Sequence, residues 1–193
     1  MFRIIPDAKN FREHVLLKDG QGVLLRPANE NDKQLVRSFF KNVSAESLRL
    51  RFMASVSQIP ESTINMFCSS DFENNGCLLA ISGENDNEEI IGLGNYVAMP
   101  NGRSAEVAFL IADKYQGKGI GTTILERLAG IAAGQGFVEF EAEVLPENTA
   151  MIGVFKSSGF GIHQSWSSDT VHLEFPVDAS MWLWERAGLR ERI

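Results

Sequence analysis

The hydrophobic pattern of the first half of the chain predicts a strand, three helices and a β-meander. Residues Gly22–Pro27 form an apolar run closed by proline, which is typical of a short strand. Apolar side chains recur at helical spacing in residues 30–43, and two further helical segments, 44–52 and 60–69, begin with serine and proline, which are common at helix N-termini. Polar turns separate three β-rich apolar segments that predict antiparallel strands, namely 77–82, 89–99 and 104–112.

The second half of the chain predicts a parallel crossover followed by a hairpin. The segment 116–121, QGKGIG, leads into a helix whose apolar stripe repeats every three or four residues until Gly134 and Gly136 end it. In the next segment, 138–145, glutamates alternate with apolar residues as in a strand with one polar face. The order strand, loop, helix, strand predicts two parallel neighbours. The remaining predicted elements are a helix in 147–159 and a hairpin in 162–177.

These elements predict one domain of the α/β class, of the α+β type, over residues 21–177. We expect an N-terminal extension at 1–20 and a C-terminal tail or helix at 178–193. A chain of 193 residues, 44% of them hydrophobic, can bury one sizeable core but is short for two domains.

Charge and composition argue against several classes of function. The formal net charge is −7 and no strongly basic stretch occurs, which argues against nucleic-acid binding. No apolar run approaches the ~18 residues of a membrane span, and the N-terminus lacks the apolar segment of a signal peptide. Two cysteines and three scattered histidines form neither a disulfide framework nor a zinc motif. We therefore expect a cytoplasmic protein without a metal or a membrane partner.

The glycine-rich loop suits an anion, although it matches neither of two common nucleotide motifs. A helix N-terminus carries unpaired N–H groups and a partial positive charge, and glycines let a phosphate approach the backbone. Lys118 either adds charge for a phosphate or is simply solvated. It is followed by Gly119, where a P-loop requires serine or threonine. Thr122 stands where the dinucleotide motif requires its third glycine.

The loop does match the pattern Q/R-x-x-G-x-G/A, at Gln116, Gly119 and Gly121. This pattern resembles the acyl-CoA motif of the GNAT N-acetyltransferases, whose order of elements is also similar. The resemblance implies a GNAT fold, with a mixed sheet of about six to seven strands in which two parallel strands splay apart to admit the thioester of acetyl-CoA. It also implies the following acetyl-CoA contacts: Leu110 and Ile111 beside the pantetheine arm; Gln116, Gly117, Lys118, Gly119, Ile120, Gly121 and Thr122 around the pyrophosphate; and Asn148 and Phe155 on the next helix.

A narrower resemblance covers residues 18–177. Three segments are similar to the acetyltransferase domain of the bacterial Pat-type protein lysine acetyltransferases, namely DGQGVLLRPANENDKQLVRSFFKNVSAESLRLRF, AEVAFLIADKYQGKGIGT and AEVLPENTAM. The resemblance implies that the acceptor is a protein lysine, for example on an acyl-CoA synthetase. It also implies that Glu106, in AEVAF, is the general base.

The chemistry of the residues also favours Glu106. Acyl transfer to an amine needs a neutral nucleophile, and a free lysine is uncharged in only roughly one molecule in 2,500 at pH 7. Glu106 lies in an otherwise apolar strand, where burial would make a carboxylate a better base. From Glu106 to Ala112 a strand spans ~20 Å at ~3.3 Å per residue, which is comparable to a pantetheine arm. The alternative is that Glu106 merely faces solvent. We interpret Glu139, Glu141 and Glu143 as a solvated face, although Glu143 could act through water.

One position departs from the family pattern. Many GNAT enzymes protonate the departing thiolate with a tyrosine where this chain has Phe155, which has no proton to give. Water, the proton of the incoming ammonium, or unassisted departure of the thiolate are the alternatives. Ser157 and Ser158 lie nearby but are typical helix-end residues. Backbone N–H groups near 109–111 are candidates for stabilising the oxyanion.

Three functions remain open on the sequence: transfer of an acetyl group to a protein lysine, transfer to a small amine, and acyl-CoA binding without turnover. The first is preferred, with acetyl-CoA as co-substrate and an amine acceptor as partner. Both a monomer and a homodimer are compatible with the sequence.

Overall fold

The computed structural model describes residues 4–5, 7–83 and 87–177, which form one sheet flanked by helices. The strands are β1 (Glu13–Leu16), β2 (Gly22–Pro27), β3 (Asn75–Ser82), β4 (Glu89–Ala98), β5 (Ser104–Ile111), β6 (Glu139–Val144), β7 (His163–Trp166) and β8 (Val171–Pro176). The helices are α1 (Lys33–Asn42), α2 (Ala45–Phe52), α3 (Glu61–Cys68), α4 (Ile120–Gly134) and α5 (Thr149–Ser157). The tail or helix expected at 178–193 lies outside the described residues.

The strands form one open mixed sheet in the order β1-β2-β3-β4-β5-β6-β8-β7. The β5–β6 pair is parallel, and the other neighbouring pairs in the described ranges are antiparallel. This order confirms the predicted meander, the parallel crossover through α4 and the final hairpin.

The eight-stranded sheet exceeds the expected six to seven strands because β1 lies in the segment assigned to an N-terminal extension. The four side chains of β1 alternate between half-buried and exposed in a polar segment, so its hydrophobic signal is weak. Glu13 of β1 forms an ion pair with Arg127 of α4, with an Nε–O distance of 2.7 Å. Ile5 and Phe11, also in this segment, are buried. The described part of residues 4–20 therefore packs onto the domain.

Different helices cover the two faces of the sheet. Gly94 and Asn95 are neighbours on β4, so they face opposite sides. The Arg51 guanidinium of α2 donates a hydrogen bond to the Asn95 side chain at 2.7 Å. On the other side, Ile124 and Leu128 of α4 pack over Gly94. Helices α2 and α4 therefore lie on opposite faces of the central strands.

Two glycines of β4 let α4 approach the sheet closely. A Cβ added to Gly94 would lie 2.3 Å from Cγ2 of Ile124. A Cβ added to Gly92 would lie 2.9 Å from Cδ1 of Ile111 and 3.0 Å from Cγ2 of Ile120. Since Ile120 begins α4 and Ile111 ends β5, this contact brings the N-terminus of α4 beside the C-terminal end of β5.

Within the described ranges, no helix combines the length and the apolarity that crossing a membrane requires.

Replacing Gly94 with alanine is expected to lower the free energy of unfolding by about 1–3 kcal/mol, because the new methyl group overpacks the α4 contact. The matched control is Gly22→Ala in β2, where an added Cβ meets nothing within 4 Å. The control should change the free energy of unfolding by less than about 0.5 kcal/mol. Urea denaturation of both variants measures the difference, and equal stability of the two would contradict the close approach of α4.

Candidate active site

Strands β5 and β6 part after three paired positions. The register joins Ser104 to Glu139, Ala105 to Phe140 and Glu106 to Glu141. Beyond these pairs β5 continues to pair with β4, and β6 with β8. The two parallel strands therefore splay apart as the sequence resemblance implied.

The β4–β5 ladder fixes which backbone groups of β5 face the gap. The N–H of Met99 donates to the carbonyl of Ser104 at 2.9 Å, and the N–H of Ala112 donates to the carbonyl of Ile91 at 3.0 Å. Hydrogen-bonded pairs recur at every second residue of an antiparallel ladder. Because Ser104 and Ala112 are both even-numbered and the register between them is unbroken, the even-numbered residues of β5 bond to β4.

The odd-numbered residues Val107, Phe109 and Ile111 consequently direct their backbone N–H and C=O groups toward β6, past the point where the strands pair. The Ile111 carbonyl also accepts a hydrogen bond from the side chain of Gln116 at 3.2 Å. The backbone groups of Leu110 belong to the β4 ladder and are not directed at the gap.

A cavity of about 320 Å³ lies between the N-terminus of α4, the end of β5, α2 and α5. Nine of the eleven residues predicted to contact acetyl-CoA line it: Leu110, Ile111, Gln116, Gly117, Gly119, Ile120, Gly121, Thr122 and Asn148. A smaller cavity occupies the gap between β5 and β6 and includes Phe155. Leu50, Arg51, Phe109, Asn148 and Met151 line both cavities, so the two are contiguous.

The glycines of the loop have different structural roles. Gly117 and Gly119 have φ values of 75° and 92°, which L side chains rarely adopt. Gly121 lies inside α4, where an added Cβ would be 3.1 Å from Cγ2 of Val154 in α5. Since α4 begins at Ile120, the first N–H groups of the helix have no acceptor within it and lie beside the cavity. This arrangement suits an anion.

The motif glutamine ties the loop to α2. The Gln116 side chain donates to Oγ of Ser47 at 3.1 Å as well as to the Ile111 carbonyl. Asp113 reinforces this connection, since its carboxylate accepts from Oγ of Ser44 at 2.6 Å and from Oγ of Ser47 at 2.8 Å. Burial by itself would raise the pKa of Asp113, but the hydrogen bonds from the two serines outweigh it and lower the pKa. The loop is therefore anchored at its first residue.

Lys118, for which the sequence allowed either a phosphate contact or solvation, has two neighbours within the protein. Its ammonium forms an ion pair with Asp19 at 2.8 Å and lies 5.0 Å from the centre of the Tyr115 ring. In the described part of the chain it lines neither cavity. A different lysine, Lys18 in the turn between β1 and β2, lines the larger cavity, although no motif in the sequence marks it.

Arg51 is a second cavity residue that no sequence motif marks. It lines both cavities, and its guanidinium donates to Asn95, which is buried on β4. Burial lowers the pKa of Arg51 to about 10, although attraction to the Glu106 carboxylate opposes this effect. The sequence offers no signal that separates it from Arg49, which pairs with Glu46 and Glu147 at the surface.

Glu106 is exposed, so the expectation that it is buried was wrong. It lies on the α2 face of β5, opposite Val97, which is 40% exposed. Arg51, near the end of α2, contacts Asn95, which lies two residues before Val97 on β4. Helix α2 ends there and does not extend over Glu106, so this side chain is open to solvent. Glu106 nevertheless lies next to Val107 and Ala108, which line the smaller cavity.

The other glutamates of this face have specific partners. Glu141 accepts from Oγ of Ser104 at 2.6 Å. Glu143 lines the smaller cavity and contacts Nδ1 of His172 at 2.7 Å, while Glu174 contacts Nε2 of the same ring at 2.9 Å. Burial would lower the pKa of His172, but the two carboxylates raise it overall above its ordinary value. The face is therefore acidic, with a histidine held between two carboxylates.

Phe155 packs in an aromatic cluster, with its ring centre 5.8 Å from that of Phe109 and 5.5 Å from that of Phe175. Ser158 is buried and its hydroxyl donates to the Phe155 carbonyl, as expected for a helix end. Ser157 lines the larger cavity, and its hydroxyl donates to the Val154 carbonyl at 3.1 Å. Among the described residues, no group of three or more His, Cys, Asp and Glu side chains is arranged to hold a metal ion.

The chain is similar to known acetyltransferases in both sequence and structure. The acetyltransferase (GNAT) family matches residues 44–160, which is more than half of the chain. The crystal structure of the GNAT domain of S. lividans PAT is 33% identical, with a TM-score of 0.77, over 86% of this chain and 96% of that chain.

Two curated relatives are also similar in sequence. An acetyltransferase of Pseudomonas aeruginosa is 26% identical over 75% of this chain and 77% of the relative. The acetyltransferase Pat of Mycolicibacterium smegmatis is 29% identical over 71% of this chain, but the match spans only 40% of that protein. With the splayed strands and the glycine loop at the start of α4, these matches show that the chain belongs to the GNAT family of acetyltransferases and is an acetyl-CoA-dependent acyltransferase.

Proposed function

We propose that this protein transfers the acetyl group of acetyl-CoA to a lysine side chain of another protein, with Glu106 as general base. The observation that carries the proposal is the continuous path along β5. It begins at the glycine loop, passes the backbone groups of Phe109 and Val107 that face the gap, and ends beside Glu106. The path has an anion site at one end and a carboxylate at the other.

The parts of acetyl-CoA match this path. The N–H groups at the start of α4 suit the pyrophosphate. The amides of the pantetheine arm can pair with the backbone groups of Phe109 and Ile111 as a short strand would. The thioester then lies in the smaller cavity, and the N–H groups of Val107 and Phe109 are the candidates for stabilising its oxyanion.

The reaction follows from this placement. Glu106 takes a proton from the lysine ammonium, directly or through water, and the neutral amine attacks the thioester carbonyl. A C–N bond forms, the C–S bond breaks, and the products are an amide and the thiolate of CoA. Phe155 offers no proton, and its ring is enclosed by Phe109 and Phe175. The thiolate therefore leaves unassisted or takes a proton from water or from the amine.

The acceptor end favours a protein lysine. Glu106 is exposed on an open face of the sheet, where a side chain that projects from a large partner can reach it. Glu141 and Glu143 lie on the same face, and their negative charge attracts a cationic acceptor. The similarity to the GNAT domain of S. lividans PAT and the resemblance to Pat-type enzymes support the same choice. Both cysteines are free and buried, which fits the cytoplasmic location that we propose.

Release of free thiol from acetyl-CoA tests the acceptor. We expect release with a folded protein acceptor such as an acyl-CoA synthetase, together with a mass increase on a lysine of that protein. Free amino acids and polyamines should give much slower release, because they bury less surface beside Glu106. Release with polyamines alone would assign the enzyme to small amines. Binding of acetyl-CoA without release under any acceptor would instead indicate a module without turnover.

The variant Glu106→Gln tests the base. It should lower kcat by ~10²-fold or more while the affinity for acetyl-CoA is retained, because the amide cannot accept the proton. The matched control is Glu139→Gln, which removes the same charge at the paired end of β6. Steady-state kinetics of both variants, with calorimetric titration of CoA, separates catalysis from binding. Unchanged turnover in Glu106→Gln would remove Glu106 from this role.

A further inference from the structure

The turn between β1 and β2 packs against the glycine loop. The backbone N–H of Lys18 donates to the carbonyl of Lys118 at 3.3 Å. The turn itself is closed by hydrogen bonds from Gly20 to Leu17 and from Leu17 to Gln21, both 2.9 Å. A segment outside the GNAT motif is thus held at a fixed position beside the predicted phosphate site.

The side chain of Lys18 runs across the loop. Its Cε, Cγ and Cδ atoms lie 3.5, 3.7 and 4.0 Å from the position of a Cβ on Gly119. The residue lines the larger cavity together with Gly117, Gly119 and the first turn of α4. The side chain is exposed at the wall of the cavity, and none of the described residues forms an ion pair with its ammonium.

The charge of Lys118, the lysine of the glycine loop, is instead paired with a carboxylate. Lys118 donates to Asp19 at 2.8 Å, and this hydrogen bond is the main reason why the pKa of that carboxyl is lowered. The Tyr115 ring lies against the same ammonium. A phosphate would have to compete with Asp19 for Lys118, whereas Lys18 is free of such competition among the described residues.

We propose that Lys18, rather than the motif residue Lys118, supplies the side-chain cation that binds the phosphate oxygens of CoA. The inference rests on the proposed use of acetyl-CoA at this cavity. CoA carries phosphates at its pyrophosphate and at its ribose 3′ position, and either presents the same anionic oxygens. A local cation matters here because the chain has a net charge of −7 and would otherwise repel a polyanionic substrate.

The test is calorimetric titration of CoA into the full chain and its variants at fixed ionic strength. Lys18→Met should weaken CoA binding about tenfold, the usual loss for one charge-assisted hydrogen bond, and Lys18→Arg should recover most of it. The matched control Lys114→Met removes a nearby lysine that pairs with Glu89 away from the cavity, and it should bind CoA as the unaltered chain does. Lys118→Met should weaken binding less than Lys18→Met.

A second titration with 3′-dephospho-CoA identifies the phosphate. If the tenfold loss in Lys18→Met persists with this ligand, Lys18 contacts the pyrophosphate; if the loss disappears, it contacts the 3′-phosphate. A large loss in Lys118→Met with none in Lys18→Met would overturn the assignment while leaving the proposed function intact. Failure of the unaltered chain to bind CoA would overturn the proposed function as well.

In steady-state assays, Lys18→Met should raise KM for acetyl-CoA with kcat nearly unchanged, since the phosphates lie far from the reacting carbonyl. A fall in kcat at saturating acetyl-CoA, with KM unchanged, would contradict a phosphate-binding role for Lys18.

Discussion

The loss of backbone pairing between β5 and β6 beyond Glu106 and Glu141 is the constraint on which the site depends. A sheet normally satisfies the N–H and C=O groups of an interior strand on both sides, and leaving such groups without a partner in the interior costs about 1–3 kcal/mol each. Beyond Glu106, the odd-numbered residues of β5 direct these groups at a cavity instead of a strand. A substrate with amide groups along an extended arm can replace the missing strand, so a defect in the sheet becomes a binding surface.

The packing of α4 determines where the N-terminus of that helix lies relative to the gap. Glycines at positions 92 and 94 let α4 sit close to β4 and β5, and this contact brings the first turn of α4 to the open end of the gap. Gln116 then fixes the loop by bonding to Ser47 of α2 and to the last carbonyl of β5. The positive end of a helix and the unpaired edge of a strand therefore meet at one place.

Charge is divided along this path. Lys18 and Arg51 lie at the cavities, whereas Glu106, Glu141 and Glu143 lie on the sheet face beside and beyond the point of splaying. A substrate with phosphates and an acceptor with an ammonium group require opposite fields, and the two ends of the gap provide them. Arg51 stands between the two regions, with its guanidinium bonded to Asn95 and attracted to Glu106. Because the chain has a net charge of −7, attraction of a phosphate depends on individual cationic side chains near the cavity and not on the overall charge.

The sequence by itself determined the order of elements and the binding loop. Periodicity and turn residues predicted β2 to β8 and all five helices, because each of these segments carries its own hydrophobic repeat or capping residue. The spacing of Gln116, Gly119 and Gly121 identified the loop through its resemblance to the acyl-CoA motif. The structure gives the two glycines different reasons, since Gly119 has a positive φ and Gly121 lies close to α5. Strand β1 was not predicted, because an edge strand buries little surface and its hydrophobic pattern is therefore weak.

Tertiary structure alone decided the partners of the charged residues. Nothing in the sequence around Lys18 or Lys118 indicates the partner of either lysine. Only the packing of the β1–β2 turn pairs Lys118 with Asp19 and leaves Lys18 at the cavity. Glu106 lies in an apolar segment, yet α2 ends before it covers that position, so the side chain is exposed. The hydrophobic pattern of a segment predicts on which face of its own helix or strand a residue lies. What lies opposite that face depends on elements distant in the chain.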